Sequence, residues 1–222
     1  MSKATSGAAA YERLREAIVR VELEPGTPVS EAQLVERFGF TKAAVRAALA
    51  RLRAEGLLLA EPRRGHVVAP LTMRDVLEIY DLRLALEPAA AEAAAGAMDS
   101  AEVARLQALA DPEFDVADAK AVERFLAANR AVHLAIVTAA GNQRAAQIVA
   151  RLLDDSERAR ILALRAGAAG AGRRARSELH AVLDAIGDGN GKQARKLMAE
   201  AIGVFRDELV DRLQSATLDR PL

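Results

Sequence analysis

The sequence predicts a mostly α-helical protein. Hydrophobic residues make up 51% of its 222 residues, but only 3% are aromatic and Trp is absent. The apolar content is therefore mainly Ala and Leu, which favour helices over strands. Alanine-rich segments recur from Ala8 to Ala201. The chain is long enough for one large domain or two small ones.

Composition also excludes several classes of protein. The chain has no Cys, which excludes a disulfide scaffold, a thiolate zinc site and a cysteine nucleophile. No apolar run approaches the ~20 residues needed to span a bilayer, and no secretory signal is recognisable near the N-terminus. We therefore expect a cytoplasmic protein with no membrane partner.

The formal net charge of zero conceals an asymmetry. Residues 1–70 hold 11 basic and 8 acidic side chains, whereas residues 71–222 hold 20 basic and 23 acidic ones. Between Arg37 and Arg64, seven basic residues stand against two acidic ones. A local basic segment of this kind is consistent with a nucleic-acid partner, which the overall charge would argue against.

Helix signals follow one another along the first segment. An apolar stripe predicts a helix from about Ala8 to Leu23, before Pro25-Gly26. Ser30 is a candidate N-cap for a short helix that ends at Phe38, where Gly39 is suited to the position after the helix. A helix, a tight turn and a second helix are therefore expected.

The second helix of this pair is predicted from Lys42 to Glu55, with Thr41 as its N-cap and Gly56 as its end. Two short apolar runs, 57–60 and 66–69, then flank a basic segment and predict a β-hairpin. This order of elements predicts an N-terminal winged helix-turn-helix, in which the second helix enters the major groove of DNA.

The basic residues at the start of this helix are candidates for DNA contacts. Small residues between them would allow close approach, and the hairpin tip would add backbone or minor-groove contacts. The solvated face of an ordinary helix is the alternative for any single arginine. The predicted DNA-binding residues are Thr41, Lys42, Ala43, Ala44, Arg46, Arg63, Arg64, Gly65 and His66.

Pro70 marks the predicted domain boundary, with a DNA-binding domain over 1–70 and an all-helical domain over 71–222. Helical patterns and caps predict an antiparallel α-helical bundle, with a kink or break at Pro88. The predicted helices begin at Thr72 or Met73, at Asp99-Ser100, near Val116, at Gln143, near Arg173 and at Lys192.

The N-terminal segment resembles the DNA-binding domain of the GntR family of transcription regulators. The resemblance rests on Leu23 to Leu34, Phe38 to Leu49, Leu52 to Leu57 and Arg63 to Val67. Thr41 and Lys42 stand where the family has Ser and Arg, and Ala43-Ala44 replaces Thr-Pro. Because Lys42 lacks the bidentate fork of arginine, the operator sequence of relatives does not carry over.

The resemblance continues into the FCD effector domain of the FadR-type subgroup, through Val76 to Pro88, Asn129 to His133, Ala139 to Asn142 and Glu178 to Ile186. Many such domains bind a divalent metal through an Asp and a His four residues apart and two further His, with an organic acid over the metal. Here Asn129 replaces the Asp, and Leu179 and Ala201 fall at the two further His positions. We therefore predict that this site holds no metal.

The candidate effector-binding residues are Arg83, Asn129 and His133. Arg83 matches an arginine of the family and could bind a carboxylate, or instead pair with Glu87 at i+4. His133 is interpreted as a polar cavity residue, and a metal site rescued by His180 would need a shifted register. Asn142 is interpreted as a helix cap.

These features leave three candidate functions. The first is a homodimeric regulator, most simply a repressor, that binds a palindromic DNA operator and responds to a small organic acid. The second is a metal-dependent enzyme, for which the three histidines supply no ligand set. The third is a constitutive DNA-binding protein without an effector. We expect the protein to be the ligand-responsive regulator and to have no catalytic residues.

Overall fold

The computed structural model describes residues 6–61, 65–110, 118–165 and 171–218. The chain folds into two compact units, Met1–Thr72 and Met73–Leu222. Each unit has its own packed interior, and each is described by itself.

The first unit contains three helices and a small sheet. Both predicted N-caps are present, because the Ser30 and Thr41 side chains accept hydrogen bonds from backbone N–H groups three residues further on. Gly39 closes the short helix in the left-handed conformation, with φ of 71°. The elements are α1 (Gly7–Val19), β1 (Pro28–Val29), α2 (Glu31–Phe38), α3 (Lys42–Ala54), β2 (Leu58–Glu61) and β3 (Gly65–Val68).

Helix α1 ends earlier than its apolar pattern predicts. It stops at Val19 rather than Leu23, because Val21 adopts the left-handed conformation with φ of 57°. The Glu22 N–H then donates to the Ala17 carbonyl at 2.8 Å, as in a Schellman motif. A β-branched residue rarely occupies this conformation, which explains why the sequence did not reveal the end of the helix.

The sheet has three antiparallel strands in the order β1-β3-β2. The hairpin of β2 and β3 confirms the predicted wing, and its register pairs Ala60 with His66. The two-residue strand β1 was not predicted; it pairs Val29 with His66 on the other edge of β3. A strand this short, with Pro as its first residue, gives no alternating pattern to recognise.

The core of the first unit joins α1, α3 and the sheet. Leu14, Ile18, Leu49, Leu52 and Leu58 are almost completely buried within it. The apolar stripes of α1 and α3 therefore face each other, which leaves the opposite face of α3 exposed to solvent.

Among its described residues, the second unit consists of helices joined by turns. Helix α4 is continuous through Pro88, so the predicted break is absent, while a kink stays a prediction. The proline removes one backbone donor, and α4 is held by packing against α6, α7 and α9 on its flanks. The helices are α4 (Met73–Ala94), α5 (Ser100–Ala110), α6 (Ala119–Ala139), α7 (Gln143–Arg165), α8 (Ala171–Gly187) and α9 (Gly191–Leu218).

Helices α4 and α9 form the most extensive contact of this unit, and α8 packs on α9. At the start of α9 the backbones approach closely, because a Cβ on Gly191 would lie 2.8 Å from the Glu92 carbonyl oxygen. None of the described helices is long and apolar enough to cross a lipid bilayer.

Candidate functional site

The N-terminal turn of α3 presents an exposed basic surface. Lys42, Ala43 and Arg46 are all exposed, whereas the apolar face of the same helix is buried. Thr41 is half-buried, and its hydroxyl oxygen accepts from the Ala44 N–H at 3.3 Å. Two cations beside a helix N-terminus form a surface suited to phosphate groups.

Three residues predicted at this surface need comment. Ala44 is only 3% exposed and packs in the core, so its predicted contact with DNA is wrong: it lies on the buried stripe of α3. Arg63 and Arg64 lie outside the described residues. Their contribution stays a prediction.

The base of the wing is described. Gly65 is exposed with φ of 83°, a conformation that favours glycine. His66 is half-buried, and its Nδ1 is buried without a hydrogen-bond partner. His66 can therefore present only part of its ring to a ligand.

An acidic residue lies among these cations. Glu31, the first residue of α2, accepts two hydrogen bonds from Arg46, from Nε and Nη2, both at 3.0 Å. The Arg46 hydrogen bond lowers the pKa of Glu31, and the charges of Lys42 and His66 act in the same direction. Lys42, Arg46, His66 and Glu31 therefore share one surface.

The second unit has a cavity between α4, α6, α7, α8 and α9 that is partly open to solvent, with about 340 Å³ of empty space when the solvent at its mouth is included. All four positions aligned with the metal ligands of the family lie on its wall. The lining residues are Tyr80, Arg83, Asn129, His133, Arg160, Glu178, Leu179, Ala201, Ile202 and Phe205.

Arg83 is committed to a buried ion pair. It is 3% exposed, and its Nε donates to Glu87 Oε1 at 2.6 Å, while Nη2 lies 3.4 Å from Oε2. Its Nη1 donates to Ser156 Oγ at 3.3 Å. The structure therefore favours the ion pair with Glu87 over the predicted contact with an effector carboxylate, because the charge of Arg83 is already neutralised.

His133 completes this cluster, with its Nδ1 2.5 Å from Glu87 Oε2. Burial alone would raise the pKa of Glu87, but Arg83 and His133 outweigh it and lower the pKa to about 2. Burial lowers the pKa of His133, and Glu87 offsets only part of that effect. A neutral His133 must therefore carry its proton on Nδ1, donating it to the Glu87 carboxylate.

Arg160 is a cavity residue that the sequence reasoning missed. It is 7% exposed, and its Nη1 donates to Asn129 Oδ1. Its guanidinium also lies over two aromatic rings, 4.3 Å from the centroid of Phe205 and 5.4 Å from that of Phe125. Burial lowers the pKa of Arg160 to about 10, so it stays charged at neutral pH.

The spacing of residues along α7 could have indicated that Arg160 is buried. Val149, Leu152, Ser156 and Arg160 follow the three- and four-residue steps of one helix face, and all four are buried. An arginine on a largely apolar stripe of a helix is a pattern that indicates a buried cation.

The cavity does not provide the metal site of the resembling family. Leu179 and Ala201 line the wall as aliphatic side chains, and Asn129 is a neutral amide that accepts from Arg160. Among the described residues, no group of three or more His, Asp or Glu is arranged to hold a metal. His180 is not among the residues that line the cavity.

Asn142 acts as a helix cap, as expected, because its Oδ1 accepts from the Ala145 N–H at 3.1 Å. It precedes α7 directly.

The fold defines a class: a winged helix-turn-helix unit followed by a helical unit with a buried polar cavity. Family models match both parts, "Bacterial regulatory proteins, gntR family" over residues 7–68 and "FCD domain" over residues 78–203. The chain belongs to the GntR family of bacterial regulatory proteins and carries an FCD domain, a family of transcriptional regulators rather than enzymes.

Curated relatives agree with this class. The chain is 35% identical over 97 residues to an uncharacterized HTH-type transcriptional regulator, YdhC of Bacillus subtilis, covering 44% of this chain and 43% of that protein. It is 34% identical over 97 residues to the transcriptional repressor RspR of Escherichia coli, covering 44% and 42%. The match thus spans less than half the length of either relative.

Solved structures share the fold over nearly the whole chain. E. coli McbR/YncC has a TM-score of 0.79 at 21% identity, covering 93% of this chain and 98% of that one. A GntR transcriptional regulator from Rhodococcus sp. RHA1 has a TM-score of 0.76 at 21% identity, covering 92% and 97%. At this identity the likeness concerns the fold alone.

Proposed function

We propose that the protein is a ligand-responsive repressor that binds a double-stranded DNA operator through α3 and senses a small molecule in its helical unit. In this proposal the first unit is the DNA-binding domain, and the second is the effector-binding and dimerisation domain. A protein with this role acts in the cytoplasm, where it meets the chromosome.

The exposed N-terminal turn of α3 is the observation that carries the proposal. Lys42 and Arg46 stand one helical turn apart with the small Ala43 between them, so their side chains can reach a phosphate or the edge of a guanine. Thr41 and the first amides of the helix suit a phosphate. Arg63, Arg64, Gly65 and His66 would add wing contacts.

The proposal includes a homodimer on a palindromic operator, in keeping with the docking geometry of helix-turn-helix proteins. One α3 helix covers one half-site, and a two-fold dimer places two of them on half-sites about one helical turn of DNA apart. Effector binding in the cavity would then favour a dimer geometry with a different half-site spacing and release the DNA.

Binding to DNA flanking the protein's own gene tests this proposal. Fluorescence anisotropy at several salt concentrations gives both the affinity and its salt dependence. We expect Lys42→Ala to weaken binding and to reduce the slope of log affinity against log salt by about 1, if Lys42 contacts a phosphate. Arg53→Ala is the matched control, because Arg53 is exposed on the same helix at its far end.

Glu31→Gln supplies a test with the opposite sign. The Glu31 carboxylate holds Arg46 and would stand close to DNA phosphates, so its neutralisation should tighten binding. Loss of a merely structural ion pair would not increase the affinity. Salt-insensitive binding, or equal behaviour of Lys42→Ala and Arg53→Ala, would refute the proposed DNA surface.

Sedimentation of the free protein and of its DNA complex tests the dimer.

A constitutive DNA-binding protein without an effector is the second candidate function. It differs in one measurable respect, because no small molecule would then change the stability of the helical unit or the affinity for DNA.

A further inference from the structure

We propose that the cavity of the helical unit binds a small monocarboxylate without any metal, with the Arg160 guanidinium supplying the positive charge that a metal ion would otherwise provide. This inference rests on the proposed role of the cavity as the effector site. It goes further by naming the ligand class, the residue that recognises it, and its independence from divalent cations.

The charge of Arg160 is the first argument. It is buried, and among the described residues its hydrogen-bond partner is a neutral amide rather than a carboxylate. Two aromatic rings contact the guanidinium, which stabilises a cation only in part. A buried cation without a paired anion is costly, so an anionic ligand would be bound strongly there.

The neighbouring charged groups do not compensate the positive charge of Arg160. The positive charge of Arg83 is compensated by Glu87, with 2.6 Å between Nε and Oε1. Arg83 therefore neither attracts an anionic ligand strongly nor neutralises Arg160. Glu178 also lines the cavity, but it is not among the charges that shift the pKa of Arg160. Glu157, three residues earlier on α7, raises the pKa of Arg160 through its charge, and the effect of Tyr80 is larger, but burial outweighs both.

Asn129 is the second argument. An aspartate here would place its carboxylate directly on Arg160 and neutralise it. The amide instead accepts one hydrogen bond from Nη1 and leaves the charge uncompensated. The same substitution that removes a metal ligand thus keeps a cation available in the cavity.

The shape and polarity of the wall define the rest of the ligand. Leu179, Ala201, Ile202 and Phe205 give the cavity an apolar side beside its polar one. The free space between these side chains is small, so a ligand there must be short. One carboxylate for Arg160 and a short hydrocarbon tail for this wall fit that description, whereas a second carboxylate would meet no free cation among the described residues.

Butyrate is the probe, with butyramide as its neutral counterpart of the same shape and succinate as a dicarboxylate. Thermal shift and calorimetry on the full chain, treated with EDTA and confirmed free of metal, give the affinities. We expect saturable stabilisation by butyrate, much weaker effects of butyramide and succinate, and no change when EDTA is present.

Two variants assign the charge to Arg160. Arg160→Gln should weaken butyrate binding roughly 10- to 100-fold, as expected for a lost hydrogen bond to a charged group. Asn129→Asp keeps the size of the side chain, should raise the melting temperature of the free protein by pairing Arg160, and should abolish butyrate binding. Arg151→Gln, at an exposed position on the same helix, should bind as the parent does.

Each other outcome overturns the inference. Equal binding of butyrate and butyramide, dependence on a metal ion, unchanged binding in Asn129→Asp, or no response of the parent to any of the three probes would each refute it. DNA binding measured without butyrate tests the proposed function separately from this inference. Retained DNA binding with no butyrate response refutes this inference alone, and the reverse result refutes the proposed function.

Discussion

The buried ion pair on α4 makes a sharp prediction about stability. Glu87→Gln preserves the size of the side chain but removes the negative charge that faces Arg83 and His133. Since Arg83 is 3% exposed and Glu87 is fully buried, water cannot replace the lost charge. We expect the helical unit to become markedly less stable.

Two considerations about the same buried pair give the order of magnitude. Removing one partner of a buried ion pair costs about 3–5 kcal/mol, mainly because the other charge stays buried and unpaired. The folded protein also lowers the pKa of Glu87 to about 2. Relative to its unfolded value, this corresponds to about 3 kcal/mol at neutral pH. For a unit of this size the melting temperature should fall by roughly 6–20 °C.

The same helix offers a matched control. Arg74 and Glu78 also form an Arg–Glu pair at i,i+4, with 2.7 Å between Nε and Oε1, but both side chains are exposed. Glu78→Gln should change the stability little, because water and salt screen an exposed pair. Urea unfolding of the three proteins at pH 7, followed by circular dichroism, measures the difference.

A double variant separates the charge from the packing. In Arg83→Met/Glu87→Met no buried charge is left unpaired, so much of the loss seen in Glu87→Gln should be recovered. Similar losses in Glu87→Gln and Glu78→Gln would refute the reasoning, because burial is the main property that differs between the two pairs.

Three further predictions concern pH, close backbone contact and capping. The folded protein lowers the pKa values of Glu87 and His133, so the free energy of unfolding should fall as the pH drops below about 6.5 and again below about 4.5; His133→Gln should remove the first decrease in urea titrations. Gly191→Ala should lower the free energy of unfolding by about 1–3 kcal/mol, because the new Cβ would lie 2.8 Å from a carbonyl oxygen of α4. Gly203→Ala is the control: a Cβ at that position has open space, so the stability should be unchanged or slightly higher in the same assay. Ser30→Ala should cost about 0.5–2 kcal/mol in denaturant unfolding through the lost cap of α2, and an unchanged midpoint would contradict that role.

Local chemistry made most helix boundaries predictable. Ser30, Thr41 and Asn142 were expected as caps, and each accepts a backbone hydrogen bond in the structure. The exceptions are positions where the packed fold overrides local preference. Val21 adopts a left-handed conformation, and α4 continues through Pro88.

The effector cavity was predictable only in part. Asn129, His133, Leu179 and Ala201 were placed at one site by a resemblance, and all four line one cavity. The sequence left the role of Arg83 open, because both Glu87 at i+4 and a bound anion are chemically suitable partners for a guanidinium. Burial of both side chains decides for Glu87.

By itself, the sequence determined the helical fold class and the winged helix-turn-helix with its basic surface, because these depend on periodicity, caps and residue type. The positions without metal ligands came from the resemblance to the FCD domain. Only the tertiary structure decided where charge is compensated. It pairs Arg83 with Glu87, brings Glu31 beside Arg46, and leaves Arg160 against the neutral Asn129. The reason is physical: the cost of a charge depends on burial and on partners from other helices, and neither can be read from spacing along one segment.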